Sequence, residues 1–241
     1  MLLLVLFGLA LSIGMGVVMV VLRRCRGNPS EDPPKPSLNG MNHAAHACMF
    51  RRPGCWLAVK CADPVLVQRA LALHNPKPCS WLEGLAGDEK LFIAPPVKGW
   101  VLVVGSGLPD PSDDVDVCFR FLMNLSRKLG QVQLFSASRV LHHHAWVKVD
   151  KGRVLRAYAW AGRTLWNQGA RTATERELGL RCFDYTETVQ QSFGFSAGDP
   201  IAGNVDKVPL LAARWSLDPA RIDEHYIENE SGIAGEPSHR F

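Results

Sequence analysis

An α+β fold is what the sequence predicts: a mostly antiparallel sheet packed against helices, preceded by one N-terminal transmembrane helix. Three observations point there. Residues 1–22, MLLLVLFGLALSIGMGVVMVVL, are apolar without interruption and are followed by Arg23, Arg24 and Arg26. Short β-type segments joined by turn residues recur between 55 and 166. Between them, residues 112–129 carry apolar side chains at helical spacing.

At about 1.5 Å per residue, 22 residues reach across roughly 30 Å of hydrocarbon. No Lys or Arg precedes residue 23, and no small-residue cleavage site leads into the arginines, so an uncleaved signal anchor fits better than a removable leader. Basic residues stay preferentially on the cytoplasmic side, which puts the N-terminus outside and the rest of the chain in the cytoplasm. The lipid bilayer is therefore the expected partner of residues 1–22. Residues 23–40 form the basic flank and a tether, rich in Pro, Ser and Asn (NPSEDPPKPSLNG), and residues 41–241 the cytoplasmic α+β domain.

Cys55–Cys61 reads as a strand. Asp63 before Pro64 supplies an N-cap and a first-turn proline for a helix to about Leu73. Leu91–Ala94 and Trp100–Gly105 read as strands parted by Pro95, Pro96 and Gly99. The long helix spans Ser112–Leu129, with Val115, Cys118, Leu122, Leu125 and Leu129 on one stripe and Gly130 as its stop. Strands follow at Val132–Ser136, His142–Val149, Arg153–Trp160 and Thr164–Trp166, and Asp150-Lys151-Gly152 reads as a three-residue hairpin turn. Shorter helices are expected at Thr174–Leu180, Lys207–Trp215 and Pro219–Glu224.

The hairpin supplies the candidate binding residues. Pairing Val149 with Arg153 sets Trp146 opposite Arg156, His144 opposite Tyr158 and His142 opposite Trp160, all on one side of the sheet. That side is either a second core layer or an exposed recognition surface, since Trp, Tyr and Arg are common anchors of protein interfaces. The other side carries Ala145, Val147 and Val149 against Leu155, Ala157 and Ala159, small enough for the long helix to lie close.

Charge argues against nucleic acid as a partner. The net charge is +4, and residues 36–241 hold 23 basic and 21 acidic residues with no basic run. Seven cysteines, at 25, 48, 55, 61, 79, 118 and 182, form no disulfide-like framework, in keeping with a reducing compartment.

Motifs with chemical meaning fare poorly. His43, His46 and Cys48 are ligand types without a complete set for zinc. Gly105-Ser106-Gly107 follows a strand but lacks the third glycine of a dinucleotide loop, and Asp113, Asp114 and Asp116 would repel a pyrophosphate. Gly194–Gly198 matches G-x-S-x-G, yet Pro200 interrupts the helix that should follow. No cofactor and no metal set is expected.

The stretch Val154–Gly179, VLRAYAWAGRTLWNQGARTATERELG, with LLAARWSLDP at 210–219, resembles bacterial proteins of unassigned activity. The resemblance implies a bacterial source and hence the plasma (inner) membrane, and it assigns no catalytic residue. Read physically, Thr172 or Thr174 caps a helix, with Glu175 or Glu177 in its first turn. The function expected is a membrane-tethered module that binds a protein partner, of immunity or regulatory type. The alternative is a metal-assisted or His-dependent hydrolase using His142 or His144.

Overall fold

Among the described residues nine strands form one sheet in the order β2-β9-β3-β4-β1-β5-β6-β7-β8, every neighbouring pair antiparallel. This computed structural model describes residues 53–86, 89–186, 200–223, 227 and 230–237. Contacts divide the chain after Met41, and all described residues belong to the second unit, 42–241. Among them no helix is long and apolar enough to cross a membrane. The predicted anchor, the tether, the His43/His46/Cys48 group and the G-x-S-x-G motif lie outside the described residues.

The strands are β1 Cys55–Val59, β2 Leu73–Cys79, β3 Leu91–Ile93, β4 Val101–Val104, β5 Val132–Ser138, β6 His143–Asp150, β7 Arg153–Ala161, β8 Thr164–Gln168 and β9 Gly232–Pro237. The helices are α1 Pro64–Ala70, α2 Trp81–Ala86, α3 Val115–Leu129, α4 Ala173–Glu177 and α5 Pro200–Trp215, with a 3-10 turn at Pro219–Arg221. β4 and β5 both run antiparallel to β1, and α3 carries the chain between them across one face.

Each face buries its own core. On the first, Leu57, Val59, Ile93, Val103, Leu134, Ala145, Val147, Ala157 and Ala159 meet Val67 of α1 and Cys118, Phe121, Leu122 and Leu125 of α3. The stripe on 115–129 therefore covers the small side chains of the hairpin, as its spacing predicts. Asp114 caps α3 by accepting from the Val117 amide, and Gly130 ends it at φ 80°. On the second face Trp56, Phe92, Phe135, Trp146, Tyr158 and Trp160 meet Trp81 and Leu85 of α2 and Val208, Leu211 and Ala212 of α5.

The hairpin register departs from expectation. The turn holds two residues, Lys151 and Gly152, both at positive φ (47° and 72°), so Asp150 pairs with Arg153 and Val149 with Val154. A bulge at Leu155 then sets Lys148 opposite Arg156, Trp146 opposite Tyr158, His144 opposite Trp160 and His143 opposite Ala161. The net shift is two residues from the expected pairing, which changes partners but keeps each side chain on its face. The bulge leaves Leu155 exposed rather than packed with Ala157 and Ala159.

Candidate functional site

The side of the hairpin carrying the expected binding residues is a core layer. His144, Trp146, Arg156, Tyr158 and Trp160 are each at most 1% exposed. His142 is not among them: it lies in the β5–β6 turn at φ 50°, exposed, one residue before β6 begins. What covers the layer is α5, together with α4 and the segment 178–183 that follows it.

Within the layer, the imidazole of His144 is stacked between two indoles. Its centroid lies 5.7 Å from Trp146 and 5.6 Å from Trp160, with interplanar angles of 12° and 14°. Asn204 of α5 fixes the tautomer. Its Oδ1 accepts from the Arg181 amide at 2.9 Å and its Nδ2 donates to the Arg181 carbonyl at 2.7 Å. The remaining Nδ2 hydrogen points at His144 Nε2, 3.1 Å away, which must then accept, leaving the proton on Nδ1. That buried Nδ1 has no hydrogen-bond partner among the described residues. Burial, and secondarily the neighbouring His143, lowers the His144 pKa from 6.5 to about 3. The ring is neutral, sealed and held.

Arg156 crosses the same layer to Glu175 of α4. Its Nε donates to Glu175 Oε1 at 2.8 Å, and the Trp146 indole N–H donates to the same oxygen at 2.8 Å. Glu175 Oε2 closes a capping box by accepting from the backbone and hydroxyl of Thr172, at 2.7 and 2.8 Å. Arg156 Nη1 donates to Asn167 Oδ1 and to the carbonyls of Ala157, Gln168 and Gly169; Nη2 reaches Cys182 Sγ at 3.1 Å. Each of the three guanidinium nitrogens thus has a partner inside the protein. Burial raises the Cys182 thiol to about 11, with Arg156 opposing and Glu175 adding, so it is no thiolate nucleophile at neutral pH.

A second polar group sits under the other face, where β1, β5 and β6 end beside the start of α3. Asp110 Oδ2 accepts from Ser136 Oγ at 2.5 Å, and Ser136 Oγ lies 3.2 Å from His143 Nε2. The residue types are those of a hydrolase triad, but the order is not. Asp110 and Ser136 both address one nitrogen of His143, since His143 Nε2 is also 3.6 Å from Asp110 Oδ2. A triad needs histidine between the other two, taking the serine proton. Here the carboxylate itself accepts that proton's hydrogen bond, and Ser136 is fully buried. Asp110 Oδ1 also accepts from the Ser112 amide and hydroxyl, at 2.8 and 2.7 Å, so the group ties the loop before α3 to the sheet. Ser136→Ala is expected to cost about 1.5–3 kcal/mol in chemical denaturation, the range for a hydrogen bond to a charged group. Cys55, paired beside Ser136 on β1, has its pKa raised, first by burial and then by Asp110.

Next to this group opens a cleft of about 490 Å³, lined by Lys90, Ser106, Gly107, Asp110, Asp113 and Glu236 among others. The Gly105-Ser106-Gly107 segment forms one wall because the backbone comes close: a Cβ on Gly105 would lie 2.2 Å from the Lys90 carbonyl oxygen. That is a packing role, not phosphate binding. Asp113 and Glu236 are exposed at its rim. Among the described residues no three His, Cys, Asp or Glu side chains are grouped to hold a metal ion.

No family model, curated protein or solved structure matches the chain.

Sequence reasoning brought together five of the six hairpin residues but missed Glu175 as their partner, Asn204, and the Asp110–Ser136–His143 group. Thr172-x-x-Glu175 was visible as a capping signature; that the same carboxylate also neutralises Arg156 was not.

Proposed function

We propose that the protein is a membrane-tethered, non-catalytic domain of a bacterial inner membrane that binds a basic segment of a protein partner in the cleft beside α3. The observation that carries this reading is the cleft itself: a concave surface of about 490 Å³ whose rim carries the carboxylates of Asp113 and Glu236. Rigid walls, set by the Gly105 close approach and the Asp110 hydrogen bonds, mean that a ligand orders little on entry. The apolar run at 1–22 with its arginine flank supports the anchor, and the Pro-rich stretch at 28–40 supports a tether between it and the domain. Of the two histidines the hydrolase alternative names, His144 is sealed within the core and His142 lies on an exposed turn.

The test is photo-crosslinking of the full-length chain in native membranes from a reactive residue at Ser106. A discrete protein adduct is expected, lost when Asp113 and Glu236 are both changed to lysine, with the melting temperature unchanged. No adduct, or an adduct indifferent to the charge reversal, overturns the cleft as the binding surface.

A further inference from the structure

We infer that the β5–β6 turn, through Val140 and Leu141, dips into the bilayer interface and so orients the domain on the membrane. The inference rests on the tether proposed above. Val140 and Leu141 are the most exposed large apolar side chains among the described residues, at 88% and 70%. They stand side by side at the tip of a hairpin, where nothing in the fold requires them to be apolar.

The tip is also held rigidly. Ser138 Oγ accepts from the Leu141 amide at 3.1 Å, and Ser138 pairs with His143 at the base of the turn. Arg139 is ion-paired with Asp206 of α5, which ties the turn to the helix beside it. Two apolar side chains can enter a lipid interface but are too few to anchor a protein alone.

Position then selects the occupant. The chain arriving from the N-terminal run enters the sheet at β1, and the Gly54 carbonyl there accepts from the Ala137 amide at 2.8 Å. The turn at 139–142 begins two residues beyond that contact. So the end of the sheet at which the described chain begins is the end that presents Val140 and Leu141. Asp110, Asp113 and Asp114 lie at the same end of the sheet as Arg139 and Arg163, so net attraction to anionic headgroups is not the driving force. Burial of the two side chains in the apolar part of the interface is.

The experiment uses the full-length chain reconstituted into phosphatidylcholine vesicles, with a small fluorescent amino acid replacing Leu141 and, in a control, Arg153 at the opposite end of the strands. Brominated phosphatidylcholine is expected to quench position 141 severalfold more than position 153, without any anionic lipid. Val140→Asp in the probe-carrying chain is expected to abolish that difference while leaving the melting temperature unchanged. Equal quenching at both positions in a chain that incorporates overturns this inference alone. Quenching that appears only with anionic lipid overturns the apolar mode of contact. A shielded but unquenched probe whose shielding grows with the protein-to-lipid ratio reassigns the tip to a second copy of the chain. A chain that never incorporates overturns the tether, and this inference with it.

Discussion

Glu175→Ala is expected to destabilise the domain by about 3–5 kcal/mol, the range for removing one partner of a buried ion pair. For a domain of this size that corresponds to a fall of roughly 6–20 °C in melting temperature. The reason is what remains behind. Arg156 would keep a buried charge with only carbonyls, an amide and a thiol around it, the Trp146 indole N–H would lose its acceptor, and α4 would lose its capping box. A paired Arg156→Met, Glu175→Leu variant should recover much of the loss, because burying two charges carries a desolvation penalty that an apolar pair escapes. Urea denaturation of the two variants beside the parent checks both statements. If Glu175→Ala and the double variant fall equally, the charge left unpaired is not the source of the loss.

Acid is expected to unfold the domain through His144 over a window set by its displaced pKa. The folded value is about 3 and the unfolded value 6.5, so between those limits the unfolded chain binds a proton that the folded chain refuses. The contribution is present in full above pH 6.5 and is lost progressively as pH falls toward 3. A displacement of that size corresponds to about 4–5 kcal/mol. His144→Phe keeps a flat ring between Trp146 and Trp160 and removes the titration. Its stability should fall less steeply from pH 6.5 to 3 than the parent's, by an amount of that order. Parallel profiles for the two proteins would show that acid sensitivity comes from carboxylates instead.

Much of this layer was legible, and the limit of legibility is physical. Strand alternation put His144, Trp146, Arg156, Tyr158 and Trp160 on one side, and a register error of two residues could not move them off it. Whether that side met water depended on α5, whose first two turns lie before Lys207, where the apolar pattern becomes readable. Asn204, the residue that locks His144, sits in those turns. Strand β2 was invisible because Pro76 and Pro78 argue against a strand. They are tolerated because β2 is an edge, paired only with β9 through an irregular register. β9 was invisible for the opposite reason: Gly-Ile-Ala-Gly-Glu-Pro has too little side chain to signal a strand. Its glycines are what let it fit. A Cβ on Gly232 would lie 2.4 Å from the Ile93 carbonyl oxygen, and one on Gly235 would lie 2.7 Å from that of His74. The Asp110–Ser136–His143 group escaped because its members come from a loop and two strands, with no spacing to tie them.

The place of β9 bears on how the protein is made. Among the described strands it is the last in chain order, yet it lies between β2 and β3, two of the first. Until it arrives, β2 has no neighbour in the sheet and β3 has one open edge. The nascent chain must hold β2 unpaired and one edge of β3 open while the elements between them and β9 are made, a period in which open edges invite association with other chains. Prolines in β2, and a slot beside β3 so narrow that β9 enters it with glycines at 232 and 235, make poor templates for a foreign strand. The two features that hid these strands from sequence reading thus also serve as protection during synthesis, keeping the slot for the one segment small enough to enter it.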